Sequence, residues 1–95
     1  MNNLQLSQNV GIELALPPNS IQSGCHPDYA ADINTVWQLV DIMNEKGCSW
    51  SMGGGGDLTT FSIYSDGRYY SHSSSHAPTA ILRAVADALG SLISK

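Results

Sequence analysis

Ninety-five residues, 42% of them hydrophobic, with a net charge of −4 describe one small domain with a thin core, since so short a chain buries a smaller fraction of its surface than a longer one. The aliphatic and aromatic content excludes a disordered tail. The four cations, Lys46, Arg68, Arg83 and Lys95, form no local stripe able to neutralise a run of phosphates, which excludes duplex nucleic acid but leaves a small anion, which needs one or two cations and backbone N–H groups.

The opening segment, Leu4 to Leu16, begins ambiguously and then alternates like a strand through Val10, Ile12, Leu14 and Leu16, so a short helix or an extended arm is expected. Pro17-Pro18-Asn19-Ser20 stops it, and residues 17–27 read as a loop. From Tyr29 to Lys46 the apolar positions Ile33, Val36, Trp37, Val40 and Met43 recur at i, i+3, i+4, i+7 and i+10, the stripe of an amphipathic helix. Asp28 can cap its start, and Gly47 suits the left-handed residue that ends a helix.

Cys48, Trp50 and Met52 then alternate with serines, and Thr59, Phe61 and Ile63 alternate with Thr60, Ser62 and Tyr64, which is strand periodicity. Gly53-Gly54-Gly55-Gly56-Asp57 is expected to join these two strands. Asp66-Gly67, a strong hairpin signal, leads into a third strand beginning Arg68-Tyr69-Tyr70-Ser71-His72. After the polar Ser73-Ser74-Ser75-His76, Pro78 fits the first turn of a last helix. That helix is expected to reach about Ser94, with Ile81, Leu82, Val85, Leu89 and Leu92 on its apolar face. Phe61 and Ile63 point one way and Leu58 and Tyr64 the other, so the expected fold is α+β: a three-stranded antiparallel meander covered by two amphipathic helices, an α/β/α sandwich. Residues 1–27 would be an arm or short helix and loop, and residues 28–95 the domain.

The run Tyr29-Ala30-Ala31-Asp32-Ile33-Asn34-Thr35-Val36-Trp37, followed by Ala77-Pro78-Thr79-Ala80-Ile81, resembles the two helix signatures of the phage ABA sandwich domain family of small phage and prophage proteins. The resemblance covers about residues 28 to 90, and its motifs concern packing and capping. It departs from the commoner pattern at Ala30-Ala31, where Ser-Thr is usual, so the capping role would pass to Asp28 or Asp32. Small phage proteins of similar size and α+β build include sponges that sequester the nucleotide messengers of bacterial immune systems such as Thoeris and CBASS, an association and not a motif match.

Several residues invite a chemical role. Arg68, Tyr70 and His72 share one face of a strand, where a guanidinium can pair a phosphate and a ring can stack a base; a half-exposed strand with Tyr69 packed inward explains the same residues. Gly54 and Gly55 of the glycine run can turn N–H groups toward an anion, although no Gly-Lys-Ser/Thr follows, as a P-loop requires; a flexible hairpin loop is the plainer reading. His76 lies close enough in sequence to join them. His72 and His76 are four apart, but on a strand and a loop, so no metal site is expected. His72-Ser73-Ser74 holds one His-x-Ser, which two-histidine phosphoesterases use twice, and no second copy follows. Cys25 and Cys48 could be nucleophiles only if a base activated them; Cys25 has His26 beside it, but adjacent residues rarely face each other productively, and Cys48 starts a buried-looking strand, where thiols are usually inert. Trp37 and Trp50 read as core, and Asp32, Asp41, Glu45 and Asp87 as solvated helix faces.

The sequence therefore leads to a binding protein with no catalytic residues and no cofactor. With the resemblance to phage proteins, its expected role is an anti-defence sponge whose ligand is a small anionic nucleotide signal held by Arg68, Tyr70, His72, His76, Gly54 and Gly55, or else a protein-interaction module that binds a host or phage protein through a sheet face or helix. A homo-oligomer, a dimer or higher, is expected because a three-stranded sheet leaves an edge uncovered. No apolar stretch approaches the roughly 20 residues of a membrane span. With neither a charged start nor an apolar leader, a cytoplasmic location with reduced thiols is expected.

Overall fold

The computed structural model describes residues 3–14 and 29–90. It has an α+β architecture: helix α1 (Asn3–Glu13), a short 3₁₀ turn (Tyr29–Ala31), helix α2 (Ile33–Glu45), strands β1 (Ser49–Gly55), β2 (Leu58–Ser65) and β3 (Arg68–Ser74), and helix α3 (Ala77–Ala88). The strands form one antiparallel sheet in the order β1-β2-β3. The expected loop at 17–27, Cys25, His26 and the Asp28 cap lie outside the described residues, as do Leu92 and Ser94.

Local chemistry sets the boundaries. Asp32, in extended backbone, accepts a hydrogen bond from the Asn34 N–H at 2.7 Å, so it satisfies one of the donors that a helix start leaves open. The residues before it, Tyr29 to Ala31, form a tighter turn and not the first turn of α2. At the other end Gly47 takes the left-handed conformation (φ +92°), as expected of a helix terminator. Gly90 does the same for α3 (φ +77°), and α3 therefore stops at Ala88, short of the expected Ser94. The opening segment is helical, and its Leu6 and Val10 are fully buried.

Both hairpins close through two residues, Gly56-Asp57 and Asp66-Gly67. Gly56 has φ +60°, while Asp66 and Gly67 have φ 51° and 76°. Positive φ at the first, or at both, central positions is the backbone twist that matches strands which themselves twist to the right. The expected Gly53–Asp57 connection is thus too long: Gly53, Gly54 and Gly55 belong to β1 and pair with Thr60, Thr59 and Leu58. A side chain is excluded at Gly54, where a Cβ would run into the Leu58 carbonyl oxygen.

One core holds the helices to the sheet. Phe61 and Ile63 of β2 meet Ile81, Leu82 and Val85 of α3, with Val36, Leu39, Val40 and Met43 of α2 and Leu6 and Val10 of α1 in the same cluster. Each large side chain buried this way contributes about 1.5–3 kcal/mol. Ala80 and Ala84 of α3 are fully buried, which lets α3 lie close to its neighbours. Burial also raises the Tyr29 phenol above its ordinary pKa of 10.0. The Tyr29 N–H is tied to Ser7 Oγ at 2.9 Å, which joins α1 to the turn before α2.

The layering differs from the expected sandwich. Trp37 of α2 contacts Phe61 at 6.1 Å between ring centroids, and Asp87 of α3 meets His72, so both helices lie on the face that carries Phe61. Leu58 and Tyr64, expected to seat a helix on the other face, are 53% and 52% exposed. Trp50, expected in the core, is 41% exposed although its ring stacks on Phe61 at 5.5 Å and meets Trp37 at 5.1 Å.

Candidate binding face

Strand alternation divides the sheet into two surfaces. Trp50, Met52, Phe61, Ile63, Arg68, Tyr70 and His72 fall on the helix-facing side, because Trp50 opposes Ile63, Met52 opposes Phe61, and Ile63 and Phe61 oppose Tyr70 and His72. The other side holds three rows across the strands: Ser49, Tyr64 and Tyr69; Ser51, Ser62 and Ser71; Gly53, Thr60 and Ser73. Gly55 and Leu58 extend them toward the first turn. None of these positions carries a charge.

The hydroxyls are ordered relative to one another. Tyr69 Oη donates to Ser62 Oγ at 2.8 Å, and Ser62 Oγ donates to Ser71 Oγ at 3.2 Å. That sequence uses the Tyr69 and Ser62 protons within the sheet and leaves the Ser71 proton to turn outward. Thr60 Oγ1 and Ser73 Oγ share a second bond at 2.7 Å. The Tyr64 and Tyr69 rings meet edge to face at 4.8 Å, and Tyr69 is 54% exposed. The surface thus combines two braced aromatic rings with fixed donors and acceptors and needs little ordering on contact.

The residues singled out from sequence fall elsewhere. Arg68, Tyr70 and His72 do share a face, but that face is turned toward α3. His72 Nε2 lies 3.0 Å from Asp87 Oδ2, so its imidazole is engaged with the helix above it. Tyr70 is half-buried opposite Ile63, and Arg68 is exposed at the start of β3. Tyr69, read as packing inward, is on the open side. His76 precedes α3 with its Nδ1 2.8 Å from Thr79 Oγ1, and its N–H bonds Ser74 Oγ at 3.1 Å. Gly54 and Gly55 lie in a strand, where successive N–H groups point to opposite edges, so they do not converge on one anion.

Asp87, read as a solvated acid, has a specific partner in His72. Among the described residues no group of three or more His, Cys, Asp or Glu side chains is placed to hold a metal ion, and no helix is long and apolar enough to cross a membrane. Cys48 is a free thiol, half-buried against the core. The open hydroxyl and tyrosine face went unmarked in the sequence because each serine alone reads as a solvated strand position. The signal was collective: hydroxyls at strand period, Ser49 and Ser51, Thr60 and Ser62, Ser71 and Ser73, with no charged residue among the positions between them on that face. No family model, curated protein or solved structure matches the chain.

Proposed function

We propose that this chain is a non-catalytic binding module that docks another protein on the open face of its sheet. The observation that carries this reading is the chemistry of that face: two exposed tyrosines in edge contact, ordered serine and threonine hydroxyls, and no charge. Tyrosine gives a large contact area at little conformational cost, while serine and glycine add adaptable hydrogen bonding, the combination that binding loops of antibodies use against protein surfaces. Loss of charge from the centre of a contact surface likewise favours a protein partner. That partner would present an uncharged surface rich in backbone or amide hydrogen-bonding groups.

A nucleotide ligand is supported less well. Its proposed grip included His72, which is held by Asp87, and Gly54 and Gly55, which are extended. The test uses affinity capture from host-cell extract with the wild type and with a Tyr64→Ala/Tyr69→Ala variant, and calorimetry of both with linear and cyclic nucleotides. The expected result is a partner retained by the wild type, lost from the variant at unchanged melting temperature, and mapped to this face by cross-linking. Saturable nucleotide binding that Arg68→Ala abolishes and the tyrosine variant keeps would overturn the reading.

A further inference from the structure

We infer that two copies of this chain pair through β1, edge to edge and antiparallel, into one continuous six-stranded sheet. The inference is independent of the reading of the open face, because it concerns the backbone edge and the opposite side of the sheet. β1 has a neighbour on one side only, and all its residues are exposed. Sheet edges are usually protected by lysine, proline, a covering helix or short length. Ser49–Gly55 has neither proline nor charge along its whole length, and α2 above it leaves Trp50 and Met52, 41% and 47% exposed.

The two-residue turn at Gly56-Asp57 decides which backbone groups are free. Gly55 and Leu58, which flank it, form a hydrogen-bonded pair, so alternate residues of β1 turn toward β2. Trp50 and Met52 then direct their N–H and C=O groups to the open edge. The register with the fullest overlap pairs Ser49 with Gly55 of the second copy and centres the two-fold on Met52. It sets Trp50 opposite Gly54 of the second copy, so that no side chain of that copy crowds the exposed side of the indole where it stacks on Phe61, and it brings the two exposed methionines together.

The occupant is therefore a second copy: the edge is complementary to itself in backbone and in side-chain volume, and neither strand brings a charge to the seam.

Light scattering of the full chain at tens of micromolar is expected to give twice the 10.1 kDa of one chain. Met52→Lys sets two like charges across the two-fold and is expected to weaken the dimer by about tenfold or more, with the far-ultraviolet circular dichroism unchanged. A cysteine scan keeps the test decisive should that variant not fold. In a chain with Cys25→Ser and Cys48→Ala, Met52→Cys is expected to oxidise to a covalent dimer, since paired Cα atoms about 5.5 Å apart suit a disulfide. Ser51→Cys, with its two copies about 8 Å apart, is expected not to. A monomeric wild type, a dimer indifferent to Met52→Lys, or equal cross-linking at both positions would overturn the edge pairing. So would loss of the dimer in the Tyr64→Ala/Tyr69→Ala variant, which would place the contact on the open face; failure to capture a partner protein leaves this inference standing.

Discussion

Gly54 shows how a single residue shapes the edge from which β1 acts. Its backbone passes so close to β2 that a Cβ would meet the Leu58 carbonyl oxygen, while Gly53 and Gly55 have open space at the same position. Gly54→Ala is therefore expected to destabilise the fold by about 1–3 kcal/mol, the usual cost of forcing a group into occupied space. Gly53→Ala is expected to change stability by less than about 1 kcal/mol, because alanine loses less backbone freedom than glycine on folding. Thermal unfolding of the two variants checks the contrast, and equal effects would show that β1 relaxes away from β2 at this point. His72 and Asp87 work at the same scale with a smaller energy. Both are about a quarter exposed, so water screens the pair and it contributes no more than about 1 kcal/mol; its consequence is to hold the imidazole under α3.

At the scale of elements, α3 is the centre of the molecule, touching β2, β3, α1 and α2. Close contact on several sides requires small residues, which Ala80 and Ala84 supply. Ala84→Leu is expected to cost about 1–3 kcal/mol by overpacking, and denaturant titration checks it; an unchanged midpoint would mean that the α1 and α2 contacts have slack. Helices α2 and α3 and the second hairpin were legible because their signals are local. The 3.6-residue stripe of α2, Asp66-Gly67, and Pro78 at the start of α3 each depend on a few neighbouring residues. The length of the first turn was not legible, because four consecutive glycines contain no mark of where pairing stops. Nor was the side of the sheet the helices would take: Leu58 and Tyr64 are apolar enough to be covered. Arg68, Tyr70 and His72 were rightly placed on one strand face, but strand alternation cannot say which face meets the helix. Trp50 was misplaced for a related reason. Its face of the sheet is the inner one, yet β1 lies at the edge of the helix layer, and only part of the indole is covered.

The whole molecule has a net charge of −4, and apart from Arg68, which opens β3, its described charges lie on the helices, at their caps and in the turns, none of them at a position of the proposed binding face. Arg68 is the cation nearest that face in sequence, next to Tyr69, but it belongs to the opposite surface of β3. Contact made through Tyr64, Tyr69 and the serine rows accordingly forms no ion pair on this chain's side. Raising the salt from about 0.1 M to about 1 M shortens the distance over which charges are felt from about 10 Å to about 3 Å. The affinity for a protein partner is expected to change by less than about threefold over that range, since hydrogen bonds and ring contacts between neutral groups carry no screened term. An anionic nucleotide gripped by Arg68 would instead weaken steadily, and Arg68→Ala would remove that dependence. Titration of the captured partner across the salt series, with wild type and Arg68→Ala side by side, separates the two. A steep loss of affinity that disappears in Arg68→Ala would move the site from the open face to the turn end of β3.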